Sequence, residues 1–309
     1  MAEVVAPRDA GSPKTGGPGA DGGQNGSDAR RGMLLLLLAV TLFPIMDSIA
    51  KELAKHLPVL QITWGRYAFT VALILPIVLW RHRAAFCIIP SPGLQLARGL
   101  AQLAGTFLFF LTLTHLPLAD TVALAFLYPL VITLLSPLVL GERIGWRRHL
   151  AVAIGFLGAL VIIRPGPGLV QPAALLGLGI SVASAIYLLI TRRIRGRAPP
   201  LVSLVYASTV SLALSTLPLA WIWQPMAAFD WLAFLVIGAL GAACHGLLIQ
   251  AFESAPASVL APLGYAEIVM AVIVGYAWFG DFPDPVTWLG IAIIAATGLY
   301  VASRERRAG

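Results

Sequence analysis

Charge is what this chain has least of. Asp, Glu, Lys and Arg make up 11% of its 309 residues, against about 25% in a soluble domain. So few charges cannot clothe a water-facing surface. Cysteine is almost missing as well. Cys87 and Cys244 exclude a disulfide framework, and neither belongs to a metal-ligand spacing, so no metal site is expected. The motifs of intramembrane enzymes are also absent. There is no His-Glu-x-x-His and no Gly-x-Ser-Gly within an apolar run, and Gly280-Asp281 lacks the preceding glycine pattern of an aspartyl protease. No catalytic residue is nominated, and the chain is read as a non-enzyme. A Walker-type Gly-x-x-x-x-Gly-Lys is missing too, which argues against an ATPase, and no bound cofactor is expected.

What the chain has in abundance is apolar length. Hydrophobic residues make up 59% of it, in runs close to the roughly 20 residues that a membrane helix needs. Proline and glycine punctuate the runs at Pro58, Pro117, Pro200, Pro256 and Pro285. Ten spans follow: 33–53, 58–80, 93–113, 118–140, 148–163, 172–191, 200–223, 231–252, 257–279 and 285–303, the fifth being the shortest. Residues 1–31 differ from the rest. They are rich in Gly, Pro, Ser and Asp, offer no face to bury, and are expected to form a disordered cytoplasmic tail rather than a secretory signal.

The net charge of +7 would suit a nucleic-acid partner, but its distribution points to the membrane instead. With the N-terminus in the cytoplasm, only Lys51, Lys55 and Arg164 of the 21 basic residues fall outside, and Arg66 lies within a span. All the others, Arg98 included, then fall in cytoplasmic segments, as positive charge does in membrane proteins. Both termini are therefore placed inside. The Arg- and Ala-rich composition, without a eukaryotic sorting signal, points to a bacterial inner (plasma) membrane.

The chain also repeats itself. A shift of 139 residues carries Thr114 to Glu253, Pro117 to Pro256, Gly141 to Gly280 and Glu142 to Asp281. With one extra residue in the turn, Gly158 falls on Gly298. Each half holds five spans, an odd number, so the second half must enter the bilayer upside down. The loops agree, because Glu142-Arg-Ile-Gly-Trp-Arg-Arg is basic and Asp281-Phe-Pro-Asp is acidic. The expected fold is all-α, ten transmembrane helices in two inverted five-helix repeats over residues 32–164 and 169–304. Inverted repeats of this kind are typical of alternating-access carriers.

These features resemble the drug/metabolite transporter superfamily, in particular its ten-span EamA-type carriers. The resemblance rests on the two-times-five layout, the helix ends Leu140-Gly-Glu and Phe279-Gly-Asp, and the stretch Ala261-Pro-Leu-Gly-Tyr-Ala-Glu-Ile-Val. Met46-Asp-Ser-Ile-Ala-Lys and Trp64-Gly-Arg-Tyr are similar to the subgroup of riboflavin and S-adenosylmethionine importers. The resemblance implies a central cavity formed by spans one, three, four, six, eight and nine, with a small organic solute as the ligand. A lipid flippase is the alternative within membrane transport, and a lateral polar groove would mark it.

Ionisable residues inside spans are functional candidates by default. Asp47 and Lys51 share a helix face, and Asp47 and Arg66 lie roughly 9 and 12 Å below their outer helix ends at 1.5 Å per residue. Asp47 is therefore expected to pair with Arg66, Lys51 or both, either as a solute site or as a structural tie. Glu267 stands at mid-span with no basic residue at helical spacing, which makes it the leading candidate for solute binding or proton coupling. His245 lies at similar depth and could meet it across the cavity. Tyr128, Tyr187, Tyr265, Trp64 and Gln102 are candidate cavity walls for a planar solute, although aromatics on membrane helices more often pack. Glu142 and Asp281 end their helices beside glycine and are assigned to capping or gating. Ala151, Gly155 and Ala159, with Gly238 and Gly241, are read as close-packing positions. The protein is expected as a monomer or homodimer in the lipid bilayer.

Overall fold

The computed structural model describes residues 21–86, 91–140, 145–164, 172–194 and 196–306. Every regular element among them is a helix. In chain order these are α1 (Asp21–Leu53), α2 (Val59–Arg81), α3 (Arg83–Phe86), α4 (Pro92–Leu113), α5 (Leu118–Ala125), α6 (Tyr128–Leu140) and α7 (Trp146–Ile163) in the first half. The second half holds α8 (Pro172–Arg193), α9 (Pro200–Thr216), α10 (Leu219–Ile222), α11 (Ala228–Ser254), α12 (Ala257–Gly264), α13 (Ala266–Phe279) and α14 (Pro285–Arg306). Helices dominate because lipid offers no hydrogen bonds, so each spanning segment must satisfy its own backbone.

Nine segments among the described residues are long and apolar enough to cross a bilayer, and the 17-residue α9 is a shorter apolar helix between them. The protein is thus a multi-pass membrane protein. Helix starts coincide with prolines, because Pro wastes no amide at a position where the N–H has no helical partner. Pro58, Pro117, Pro199 and Pro256 stand at N-caps, and Pro92, Pro172, Pro200 and Pro285 open their helices.

Four details depart from the sequence reading. The first helix begins at Asp21 rather than Met33. The seventh span ends at Thr216, and after a break at Leu217–Pro218 only the single turn α10 follows, since Pro218 has no amide to continue the ladder. That makes α9, not the 18-residue α7, the shortest span. Finally, the fourth and ninth spans are each two helices, α5/α6 and α12/α13.

Helix neighbours reflect the repeat. Where α1 packs along α11, the corresponding pair α4 and α8 packs likewise. The contact of α2 with α11 is matched by that of α9 with α4, and the contact of α1 with α13 by that of α8 with α6. The pairs α7 with α14 and α2 with α9 each join equivalent helices across the pseudo-two-fold, and α5 packs on α13 between the two equivalent broken spans. Small residues set the closest approaches, as expected. A Cβ on Gly155 would stand 2.0 Å from Leu130 Cδ1, and one on Gly238 would stand 2.3 Å from Phe69 Cβ.

Candidate functional site

The two broken spans break at the same place in the repeat. The α5/α6 break falls at Phe126–Leu127 and the α12/α13 break at Tyr265, and a shift of 139 takes Phe126 onto Tyr265. A proline lies within three residues of each break, although at different repeat positions. Pro129 cannot donate to the Ala125 carbonyl, and Pro262 cannot donate to that of Ser258. The chain tightens there instead, with Leu130 N–H donating to Leu127 O at 3.0 Å and Ile268 N–H to Tyr265 O at 3.1 Å. The equivalent rings meet, Phe126 and Tyr265 having centroids 5.0 Å apart.

Irregular backbone at membrane depth is tolerated where protein or a cavity covers it. Here a cavity of about 430 Å³ lies at the two breaks, with Ala125, Phe126 and Gly264 in its wall. That volume falls within the range of roughly 300–1,000 Å³ for small-molecule sites. Its lining comes from spans one, three, four, six, eight and nine, as the resemblance implied, and additionally from Arg66 on the second.

Seven candidates from the sequence line this cavity: Asp47, Arg66, Gln102, Tyr128, Tyr187, His245 and Glu267. Tyr128 and Glu267 are repeat equivalents, 139 residues apart, so the same wall position carries a phenol in one half and a carboxyl in the other. Glu267 stands in the first turn of α13, where the helix dipole favours an acidic side chain. Asp47 is 4% exposed. Among the described residues neither carboxyl makes an ion pair or a hydrogen bond.

The expected pairing of Asp47 with Arg66 or Lys51 is not found. Arg66 Nη1 donates instead to Thr106 Oγ1 at 3.0 Å, and Thr106 shares a 2.6 Å hydrogen bond with Tyr67. The Arg66 guanidinium also faces the rings of Tyr67 and Phe110 at 5.6 and 5.8 Å. A hydroxyl neighbour and two ring faces hold it away from ion-pair range. Lys51 points to the helix end, where its ammonium lies 3.1 Å from Asp281 and 4.5 Å from the Phe279 ring centroid. Asp281 follows Gly280, whose φ of 73° ends α13 in the left-handed conformation that glycine accepts. Glu142, its repeat partner, and Cys87 lie outside the described residues.

Besides Lys51, two sequence candidates, Trp64 and Tyr265, are absent from the cavity wall. Trp64 donates to Thr216 Oγ1 at 3.1 Å and packs edge-on against Trp223. Tyr265 stands behind Phe126, with its hydroxyl buried and unpartnered among the described residues. His245 lines the cavity but makes no hydrogen bond to Glu267; its ring packs edge-on to Phe43 at 5.8 Å. Cys244 is a buried free thiol.

Arg98 is the residue that charge counting misplaced. It lies two turns into α4, 4% exposed, rather than in a cytoplasmic loop. It donates to Tyr187 Oη and Ser203 O at 2.9 Å and to Thr191 Oγ1 at 2.8 Å, and it faces the Tyr187 ring at 4.8 Å. Arg98 thereby holds a cavity-wall tyrosine without lining the cavity itself. Its sequence signal is weak, because an arginine six residues after a helix start reads equally well as a membrane-surface anchor.

At the end where α1 terminates, polar groups join the two halves. Besides Lys51 and Asp281, His56 Nε2 lies 2.9 Å from Asp230 Oδ1. The Gln61 amide and the Gln224 backbone bond reciprocally at 2.9 and 3.0 Å. Arg164 bonds Asp284 and, at 3.2 Å, Thr287. Outside the membrane helices, the Arg164 guanidinium holds the Asp284 carboxyl below its usual range, with the Thr287 amide adding to the effect.

Two copies of a five-span unit, broken helices that meet within their spans and a cavity with charged groups in its wall at the breaks define a membrane carrier architecture. The EamA-like transporter family profile matches the chain twice, over residues 30–164 and 171–304, and the chain belongs to that family. It is a membrane transporter. Similar proteins include the S-adenosylmethionine uptake transporter of Rickettsia prowazekii (strain Madrid E), 27% identical over 89% of this chain and 94% of that one. The riboflavin transporter of Vibrio cholerae is 27% identical over 90% and 94%. The pseudopaline exporter CntI of Pseudomonas aeruginosa is 28% identical over 90% and 98%. A crystal structure 20% identical to this chain superposes with a TM-score of 0.60, covering 92% of this chain and 98% of its own, which shows the fold.

Proposed function

We propose that this protein is a secondary carrier that moves a small organic metabolite by alternating access, with the solute seated in the cavity at the two helix breaks. One observation carries the reading: the breaks are repeat equivalents, they meet, and the carboxyl and phenol beside them face a common cavity. The relatives' names include uptake and export, and three different solutes, so they support the class of cargo and leave its direction open. The proposed orientation puts both termini in the cytoplasm of a bacterial inner membrane. The ties around Lys51–Asp281 then close the outer end, with residues 32–164 and 169–304 as the two bodies that move.

Glu267 is the proposed coupling group, since a carboxyl without a partner at mid-membrane can exchange a proton for a solute contact. Asp47, His245, Arg66, Tyr128 and Tyr187 are the titratable groups that share its cavity. Purified protein in liposomes, preloaded with unlabelled solute and supplied with labelled solute outside, should show saturable counterflow. Binding without counterflow would remove the carrier reading. A Glu267→Gln protein with unaltered pH dependence of uptake would remove the coupling role.

A further inference from the structure

We infer that the cavity is built for an organic cation, whose positive centre is taken by Asp47 and Glu267 between aromatic walls. This rests on the carrier reading above and names the class of solute. The argument is an inventory of unmet bonds. Asp47, 4% exposed, and Glu267 both line the cavity, and neither is paired or hydrogen-bonded among the described residues. The side-chain oxygen of Gln102, also in the wall, is buried without a partner among those residues. All three groups are acceptors when the carboxyls are ionised. Among the described residues Arg66 is the one guanidinium in the wall, and it already donates to Thr106 and stands against two rings.

An unpaired carboxylate in a water-poor cavity is costly unless a cation or a proton meets it. Two such groups against one arginine leave a surplus of negative charge that a cationic solute would balance. The remaining wall suits the same ligand. Phe43, Phe109, Phe126, Tyr128 and Tyr187 stand in the wall, and aromatic rings attract ammonium and sulfonium groups. Arg98 holds Tyr187 in place from behind through one of its hydrogen bonds. Arg66 has N–H groups without a hydrogen-bond partner among the described residues, available to an acidic group on the solute, so an amino-acid zwitterion with an additional positive centre would use every charged member of the wall.

The test uses probes matched in shape and different in charge. The full-length protein in detergent is melted with S-adenosylmethionine and its uncharged thioether S-adenosylhomocysteine. Choline is paired with 3,3-dimethyl-1-butanol, while riboflavin and citrate serve as neutral and anionic controls. The expected result is a rise in melting temperature with at least one cation and a binding constant at least tenfold weaker for its uncharged partner. Asp47→Asn and Glu267→Gln, checked for folding by size-exclusion chromatography, should erase that tenfold difference. The wild-type comparison stands alone should either variant fail to fold. Equal binding within a pair, binding of riboflavin or citrate alone, or no shift with either cation overturns the inference. Counterflow separates the two readings. Counterflow of riboflavin without cation binding leaves the carrier and removes the cation site. Cation binding without counterflow does the reverse.

Discussion

The two broken spans share one ancestral plan, and their differences show what each half contributes. Both interrupt the helix at the same repeat position and both place small backbone at the cavity, Ala125 in one and Gly264 in the other. Beyond the backbone they diverge. Tyr128 occupies the position that Glu267 holds in the second half, and Pro129 the position of Ile268. The sequences that follow differ in sign, with Arg143, Arg147 and Arg148 in one and Asp281 and Asp284 in the other. The position of the break is common to both halves, whereas the proline near it is not. The side chains facing the cavity differ between the halves, a phenol in one and a carboxyl in the other.

Exchanging the two wall groups is the strongest way to break that comparison. Glu267→Gln should raise the KM for a cationic solute about a hundredfold, near 3 kcal/mol, the scale for losing one partner of a desolvated charge contact. Tyr128→Phe should cost no more than about 1 kcal/mol, the value of a neutral hydrogen bond. Counterflow kinetics on both variants decide it, and equal losses would mean that the halves act alike.

Next in size is the packing behind the second break. A Cβ on Gly298 would lie 1.6 Å from the Tyr265 hydroxyl, so Gly298→Ala must push that ring toward Phe126. Overpacking of this kind costs about 1–3 kcal/mol and should weaken solute binding as well. Because the hydroxyl has no partner among the described residues, adding Tyr265→Phe should restore part of both losses. At the equivalent Gly158, an added Cβ would meet Ile293 at 2.8 Å, away from either break. Gly158→Ala should therefore lower the melting temperature without altering affinity.

The backbone device itself can be probed with Pro129→Ala. An amide at 129 could bond the Ala125 carbonyl and straighten α5/α6. The expected outcome is a higher melting temperature with turnover reduced by about tenfold, equal to 1.4 kcal/mol on the barrier. A faster carrier would show that the first break is dispensable.

The smallest effect belongs to the acidic loop. Arg164 lowers the Asp284 pKa, so the pair stabilises the fold above the ordinary aspartate range, near pH 4. That contribution disappears as pH falls through the lowered value. Asp284→Asn should reduce the melting temperature slightly at pH 7, and the difference from wild type should vanish near pH 2. Both groups are about half exposed, so salt should also shrink it.

Much of this organisation was legible beforehand because its causes are local or periodic. Lipid demands apolar helices of set length, prolines mark where they start, and an odd span count forces the inversion. Asp47, Glu267 and His245 stood out because ionisable groups are rare inside membrane spans. The breaks were not legible, because Pro129 and Pro262 lie at different repeat positions and proline in a membrane helix need not interrupt it; Pro76 does not interrupt α2.

The sequence by itself determined the membrane class, the repeat and the pattern of spans, and it singled out a short set of polar residues within them. These follow from composition and spacing under the constraint that lipid satisfies no polar group. The tertiary structure alone decided the partners. Lys51 went to Asp281 rather than Asp47, Arg66 to Thr106, and Arg98 into the packed interior beside Tyr187. Such choices depend on how helices far apart in sequence are rotated and stacked against one another, and no spacing along the chain records that.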